Sequence, residues 1–230
     1  MSADFASALL SHHFLIAMPG LEDPTFAKSV VYLCEHSERG AMGLIINKPG
    51  ELSLKHLFEK VELPLHREDL LQSNVLHGGP VQMERGFVLH EPLLESDSEN
   101  SEASDTHASG ADASIDTTDT TELTDQTAAP KSNSIYASTL SVPGGLAMTT
   151  SKDVLEAIAN GSGPKRVLVT LGYASWGEGQ LESEIVENSW LTVEADPSII
   201  FETPIEQRYE KALALLGLQP WMLLTEAGHA

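Results

Sequence analysis

Short apolar runs separated by turns rich in glycine and polar residues set the pattern of this chain. Runs of about four to eight residues that are rich in β-branched side chains are typical of strands. A polar turn at Ser37–Gly40 lies between two such runs and predicts a hairpin. The predicted strands of this kind are Ser29–Cys34, Ala41–Ile46, Arg85–His90 and Ile135–Leu140.

The most apolar run, Lys165–Leu171, predicts a strand that is buried on both faces, because apolar residues occupy both of its alternating positions. Gly172 follows this run, and we expect the strand to end there. A helix is then expected to begin at Gly177–Gln180.

Two helices are predicted by their end signals and their periodicity. Thr150 and Asp153 form a candidate capping box for a helix over Lys152–Ala159, and Gly161 is placed to end it. Apolar residues at helical spacing predict a second helix over residues 205–216, which follows a threonine and a proline suited to a helix start. We interpret this second helix as a core-packing element.

Residues 94–134 carry ten acids and one lysine, with few large apolar side chains. Such a segment buries too little apolar surface to offset the entropy lost on ordering, so we predict that it is disordered. We expect it to be a solvated insertion that joins two neighbouring strands, with an acidic mimic of nucleic acid as the alternative. The predicted organisation is a flexible N-terminus (1–12), one domain in two parts (13–93 and 135–218), the acidic insertion (94–134) and a C-terminal tail (219–230).

The charge balance argues against partners that carry a polyanionic surface. The chain has 13 Lys and Arg against 34 Asp and Glu, a net charge of −21, so neither nucleic acid nor an anionic membrane is expected as a partner. Met1–Phe5 lacks the basic start and the long apolar run of a signal peptide, and Phe14–Met18 is too short to span a bilayer. We therefore expect a soluble cytoplasmic protein.

Cys34 is the only cysteine of the chain, which excludes an intramolecular disulfide and a zinc site built from thiolates. It lies two residues before His36, and alternating strand positions share a face. With His77 or His90 nearby, the two side chains form a candidate nucleophile pair or metal site. The simpler interpretation, a small core residue at the end of an apolar run, is favoured because the sequence has no clustered ligand spacing. No metal and no cofactor are predicted.

The glycine-rich junction Gly172–Glu182 is the densest motif of the chain. It differs from a phosphate loop, because no lysine follows the glycines and Glu178 lies where an anion would bind. The glycine spacing does not match a dinucleotide fingerprint, and the chain has no Gly-x-Ser-x-Gly elbow. Close packing of a strand against a helix is the favoured interpretation. Tyr173, Trp176 and Gln180 remain candidates for contact with a ligand.

A series of motifs, in order along the chain, resembles the YqgE/AlgH family of small bacterial proteins. The motifs are Phe14–Pro19, Phe26–His36, Gly40–Pro49, Gly78–Val81, Arg85–His90, Leu171–Glu182 and Asn188–Leu191. The resemblance implies a single α/β domain of the α+β type, with a mixed, partly barrel-like sheet flanked by helices. The family name implies a link to the regulation of alginate production, and no catalytic residue carries over from it. Ser175 departs from the pattern, which has glycine before this tryptophan.

The leading hypothesis is a non-enzymatic regulatory or ligand-binding module for a small molecule or a protein. It rests on abundant turn chemistry in a chain from which no set of nucleophile, base and acid can be assembled. The alternative is a hydrolase that uses Cys34 with His36 and either His77 or His90. Direct DNA binding ranks last, since no helix carries a basic stripe. The predicted ligand surface consists of Asn47, Lys48, Arg85, Tyr173, Trp176 and Gln180.

Overall fold

Ten strands and five α-helices make up residues 10–93 and 135–223, which are the residues that this computed structural model describes. The strands are β1 His13–Ala17, β2 Val30–Ser37, β3 Gly40–Ile45, β4 Pro49–Ser53, β5 Asn74–His77, β6 Val81–His90, β7 Thr139–Val142, β8 Leu146–Thr149, β9 Val167–Trp176 and β10 Trp190–Glu194. The helices are α1 Leu54–Lys60, α2 Lys152–Asn160, α3 Gln180–Val186, α4 Pro197–Phe201 and α5 Arg208–Leu215. The disorder predicted for residues 94–134 lies outside the described residues, as do residues 1–9 of the predicted flexible N-terminus and residues 224–230 of the predicted C-terminal tail.

The strands form one sheet that curls into a half-barrel, in the order β10-β1-β2-β3-β9-β6-β8-β7. Neighbours along this path are antiparallel, whereas β5 adds to β9 in parallel and β4 pairs with β5. The hairpin predicted around Ser37–Gly40 is present as β2 and β3, which pair from Val31 and Ile45 down to the turn. The mixed sheet with its flanking helices confirms the predicted single domain of the α+β type.

β9 is the central strand, and it changes partner at Gly172. Before this residue β9 pairs with β5, and after it β9 pairs with β3 from Ala174 to Trp176. Gly172 has a φ of +73°, a conformation that glycine adopts at little cost. The prediction that the strand ends at Gly172 is therefore wrong, because glycine bends the strand here without ending it.

The chain that leaves β5 crosses β9 at this bend through Gly78 and Gly79. A Cβ atom on Gly78 would lie 2.2 Å from the carbonyl oxygen of Gly172, and one on Gly79 would lie 2.2 Å from the carbonyl carbon of Tyr173. Gly79 also has a φ of +151°, which side chains rarely adopt. Two backbones thus meet without space for a side chain between them.

β6 and β7 are separated in the sheet by β8. Val88 of β6 and Thr139 of β7 both pair with Thr149, one on each side of it. The prediction that the acidic insertion joins two neighbouring strands is wrong. Because both strands are antiparallel to β8, they are parallel to each other, and parallel strands need a crossover connection instead of a hairpin turn.

Three apolar clusters cover the sheet on both faces. The first fills the inside of the half-barrel and includes Phe14, Tyr32 and Leu89, all fully buried. The second lies between the sheet and α3, and the third lies under α1 and α2. Helices α1, α2 and α3 thus cover the outer face of the sheet, whereas α4 and α5 pack in the first cluster, to which they contribute Ile199, Ile200, Ala212 and Leu213. None of these helices is long and apolar enough to cross a membrane.

The helix ends differ in detail from the predicted caps. Ser151 occupies the N-cap position of α2 in place of Thr150, and Gly161 ends the helix in the left-handed conformation, as predicted. The second predicted helix begins as a 3-10 turn at Ile205–Gln207 and continues as α5. A last 3-10 turn at Pro220–Leu223 lies in the predicted C-terminal tail.

Candidate functional site

An open pocket of about 530 Å³ lies where the inner face of the half-barrel meets solvent. Its residues come from β3, β9, β6, β8 and β7 and from the segments beside them, so the curl of the sheet creates it. We call it the mouth pocket, and it is lined by Met42, Gln82, Arg85, Phe87, Ser138, Thr139, Leu140, Met148, Thr150, Tyr173 and Ser175. Its apolar side chains belong to the inner core or pack against it. Pockets of this size at the mouths of β-barrels are typical ligand sites.

Arg85 is the one charged residue among those that line the mouth pocket. Its Nη2 donates to Thr150 Oγ1 at 3.1 Å, and its Nη1 approaches Gln82 Oε1 at 3.5 Å. The guanidinium carbon lies 5.8 Å from the centre of the Phe87 ring, within the range of a cation–π contact. No carboxylate of the described residues lies within ion-pairing distance of Arg85. The side chain is thus held in place by neutral groups while its charge stays unpaired.

Tyr173 forms the aromatic wall of the mouth pocket. Its ring meets that of Phe87 edge to face, with centroids 5.3 Å apart, and it packs against the inner core. Two residues of the pocket lining, Gln82 and Ser138, have φ values of +50° and +51°. Such conformations cost free energy in residues other than glycine and are concentrated at functional sites.

Asn47 and Lys48, two further residues of the predicted ligand surface, lie at another pocket. Asn47 Oδ1 accepts from Val30 N at 2.8 Å, and its Nδ2 donates to Lys28 O at 2.9 Å, so this amide holds two chain segments together. Lys48 Nζ donates to Pro24 O at 3.1 Å, and partial burial lowers the pKa of Lys48. Both residues line a separate pocket of about 390 Å³.

Trp176 and Gln180 belong to a hydrogen-bonded cluster around Glu184, which we call the tryptophan clasp (Trp176, Gln180, Glu184 and Trp190). Glu184 Oε2 accepts from the indole N–H groups of Trp176 and Trp190, and its Oε1 accepts from Gln180 Nε2 at 2.9 Å. Gln180 Oε1 in turn accepts from Gly177 N at 3.0 Å. The clasp fixes α3 to β9 and β10, which supports the packing interpretation of the junction. Glu184 did not stand out in the sequence, although it lies one helical turn after Gln180.

Cys34 is buried, with 2% of its surface exposed, and it belongs to the core inside the half-barrel. Burial raises the pKa of its thiol, and within the described part of the chain the only hydrogen-bond partner of Sγ is Tyr32 O, at 3.8 Å. A bulge between Leu33 and Glu35 adds one residue to β2, so that His36 turns to the opposite face, towards Glu182 of α3. The alternative that pairs Cys34 with His36 as nucleophile and base is therefore wrong, because the bulge breaks the alternation of faces, and Cys34 is a core residue as the favoured interpretation held.

The three candidate histidines have separate surroundings. His36 Nδ1 accepts from Leu10 N at 3.0 Å, so its Nε2 carries the proton that is donated to Glu182 Oε1 at 2.8 Å. His90 is fully buried between Glu91 O and Thr149 Oγ1, and burial lowers its pKa. His77 lines a small pocket of about 260 Å³. Within residues 10–93 and 135–223, no group of three His, Cys, Asp or Glu side chains is placed to hold a metal ion.

Residues 14–221 match the sequence model of the AlgH-like family. The chain belongs to the AlgH-like family. The clasp, the bend at Gly172 and the glycines that cross it give a physical role to three of the motifs that carry the family resemblance, Gly78–Val81, Leu171–Glu182 and Asn188–Leu191.

Solved and curated relatives agree with this assignment. The AlgH-like chain is similar to UPF0301 proteins of Paracidovorax citrulli, 63% identical over 231 residues, and of Variovorax paradoxus, 59% identical over 230 residues, with 100% of both chains covered in each case. The solution structure of the AlgH protein from Pseudomonas aeruginosa is similar with a TM-score of 0.64 and 42% identity, over 100% of this chain and 99% of that one. A crystal structure of a Corynebacterium diphtheriae protein, 16% identical with a TM-score of 0.57 over 89% of this chain and 85% of that one, shares the fold.

Proposed function

We propose that this AlgH-like protein is a non-enzymatic, regulatory ligand-binding module, and that its mouth pocket takes a small molecule with an apolar ring and a carboxylate. The unpaired Arg85 at the rim of the pocket carries this proposal. Its fork of N–H groups matches a carboxylate in geometry and charge. In a chain with a net charge of −21, a pocket whose lining holds one cation and no acid is a specific attraction for an anion.

The floor of the mouth pocket suits the apolar part of such a ligand. Phe87 and Met148 are buried there, and Tyr173 presents one side of its ring beside them. The hydroxyl group of Ser138 at the edge supplies a neutral hydrogen-bond partner, whereas the Thr139 hydroxyl already bonds Tyr136 O and Thr149 Oγ1. A mostly apolar surface with a few oriented polar groups is the usual composition of a small-molecule site.

The lining of the mouth pocket also favours binding over catalysis. It contains several hydroxyl groups but no His, Asp, Glu, Lys or Cys, so a hydroxyl nucleophile there has no general base to activate it. The buried Cys34 thiol lies in the core and is not among these residues. Retention of ligand, without turnover, is the behaviour that fits this set of side chains.

The proposal is tested by titrating isotope-labelled protein with benzoate, phenylacetate and indole-3-acetate and following the backbone amides by NMR. We expect saturable shifts at Ser138, Thr150 and Ser175, and a dissociation constant at least about 10-fold weaker in Arg85→Gln, which is about 1.4 kcal/mol. Arg39→Gln is the matched control, since Arg39 is an exposed arginine outside the pocket lining. Equal affinity in Arg85→Gln and wild type, or no saturable shift with any of the acids, contradicts the proposal.

A further inference from the structure

Arg208 is a buried cation without an acid partner. Only 6% of its surface is exposed. Its Nε donates to Thr203 O at 3.0 Å and its Nη1 donates to Ile46 O, so both acceptors are neutral carbonyl groups. No carboxylate of the described residues lies within ion-pairing distance, and burial lowers its pKa to about 10. A buried charge that lacks a counter-charge is costly, so its retention needs an explanation.

The position of Arg208 in α5 adds to this cost. It is the first residue of α5, directly after the 3-10 turn Ile205–Gln207, and so lies near the start of the helical segment, where the backbone N–H groups create a partial positive charge. A cation is disfavoured at this end, whereas an anion is favoured. The start of the helix therefore does not offset the positive charge of the guanidinium. Both the helix start and the guanidinium attract an anion.

Arg208 lines a cavity of about 510 Å³ that lies between the α4–α5 segment and the first residues of β5 and β9. Two other arginines of this cavity are already neutralised. Arg67 pairs with Asp69 and also donates to backbone carbonyls, and Arg166 pairs with Glu91 and Glu202.

Two cations of the cavity remain available. Lys165 is exposed and has no ion pair among the described residues, and Arg208 Nη2 makes no hydrogen bond with them. The charge of Glu206 acts against the lowering of the Arg208 pKa, but this exposed side chain of the cavity lining lies beyond ion-pairing distance of Arg208. Lys165 and Arg208 thus line the same cavity as two cations without ion pairs among the described residues, beside one carboxylate, Glu206, that also has none.

We propose that this cavity, the Arg208 pocket, is a second ligand site that binds a small oxyanion, either phosphate or a carboxylate, between Arg208 and Lys165. The anion accepts hydrogen bonds from the N–H groups of Arg208 that the two carbonyls leave free. The bonds to Thr203 O and Ile46 O hold the guanidinium in a fixed orientation, so the site is preorganised. The site is independent of the mouth pocket, because the two share no lining residue.

The test is an NMR titration of the full chain in which the Nε–Hε signal of Arg208 and the amide signals of Thr203 and Asn74 are followed. Inorganic phosphate is titrated in one arm and acetate in the other, with sodium chloride at equal ionic strength as the reference. We expect saturation in one of the first two arms, and this arm identifies the source of the oxyanion. Shifts no larger than those caused by chloride in both arms overturn the proposal.

Variants separate binding from a purely structural role of Arg208. Lys165→Gln should weaken binding of the anion at least about 3-fold. Lys211 is an exposed lysine of α5 outside the pocket, so Lys211→Gln should leave the affinity for the anion unchanged. Equal affinity in wild type and Lys165→Gln contradicts the assigned position of the anion. Arg208→Lys should abolish saturation, and if it does not fold, Lys165→Gln still decides the question. Arg85→Gln should leave the response of Arg208 unchanged, so failure here and failure at the mouth pocket are distinguishable.

Discussion

Trp176 and Trp190 donate their indole N–H groups to the same carboxylate oxygen, at 2.9 Å and 2.8 Å. Their rings meet edge to face with centroids 5.9 Å apart, and both are almost completely buried. One carboxylate, that of Glu184, therefore satisfies two buried donors from two strands. Its removal leaves both of them without a partner.

We predict that Glu184→Ala lowers the free energy of unfolding by about 2–6 kcal/mol, since it leaves two buried donors unpaired and each costs about 1–3 kcal/mol. Glu184→Gln keeps one acceptor oxygen, so its free energy of unfolding should fall by less than that of Glu184→Ala. Urea unfolding monitored by circular dichroism measures the free energy of unfolding of both variants. The control is Glu178→Gln, a change at an exposed residue, whose free energy of unfolding should stay within about 0.5 kcal/mol of wild type. A loss below about 1 kcal/mol in Glu184→Ala would show that the clasp contributes little.

Gly79→Ala should destabilise the fold by about 3 kcal/mol or more, because the positive φ and the contact with the Tyr173 backbone add together. Gly86→Ala is the matched control within β6. A Cβ atom on Gly86 would have no other atom within 4 Å. The free energy of unfolding of Gly86→Ala should therefore stay within about 1 kcal/mol of wild type or rise. Thermal unfolding of the two variants, side by side, measures the difference. Equal melting temperatures would mean that the crossing at β9 adjusts easily.

Cys34 should react with a thiol reagent such as DTNB only when the protein unfolds. Burial and the raised pKa of the thiol both reduce the native rate, so we expect it to be about 10³-fold or more below the rate in denaturant. Absorbance at a series of urea concentrations gives both rates. Fast labelling under native conditions would restore Cys34 as a candidate nucleophile.

His90 should make stability depend on pH. Burial holds its pKa below the ordinary value of 6.5 in the folded protein, so the unfolded chain takes up this proton first as the pH falls. The stabilisation is present above pH 6.5 and is lost as the pH falls from there towards the lowered pKa. His90→Gln should have a smaller difference in unfolding free energy between pH 7.5 and 5.5, whatever its absolute stability. If the difference in unfolding free energy between pH 7.5 and 5.5 is the same in the variant and in wild type, His90 is not the source of the pH dependence. His12, whose pKa is also lowered by burial, is then the next candidate.

Local signals in the sequence predicted local structure well. The hairpin of β2 and β3 follows from its polar turn, and the end of α2 follows from Gly161. The sequence predicted the end of a strand at Gly172, where the structure has a bend. A glycine that ends a strand and a glycine that bends one look the same in the sequence, because the difference depends on the partner strands. The bulge at Cys34 has no local signature, since it depends on the register with β3.

The candidate site was predicted only in part for a similar reason. Arg85 and Tyr173 do line one pocket, but Asn47 and Lys48 lie at another and Trp176 is part of the clasp. Polar and aromatic residues beside glycines can serve packing or binding, and the curl of the sheet decides which. The unpaired charge of Arg208 is invisible in the sequence, where several acids stand close to it.

The position of β8 between β6 and β7 sets a minimum length for the chain that leads from one to the other. The two outer strands are about 10 Å apart, twice the spacing of adjacent strands. A parallel crossover needs about a dozen residues, and each further doubling of the length costs only about 0.6 kcal/mol. Above that minimum, the places of β6 and β7 in the sheet fix no exact length for the chain that connects them. The tight turn at Ser37–Gly40 has no such freedom, because each added residue there would shift the register of β2 against β3.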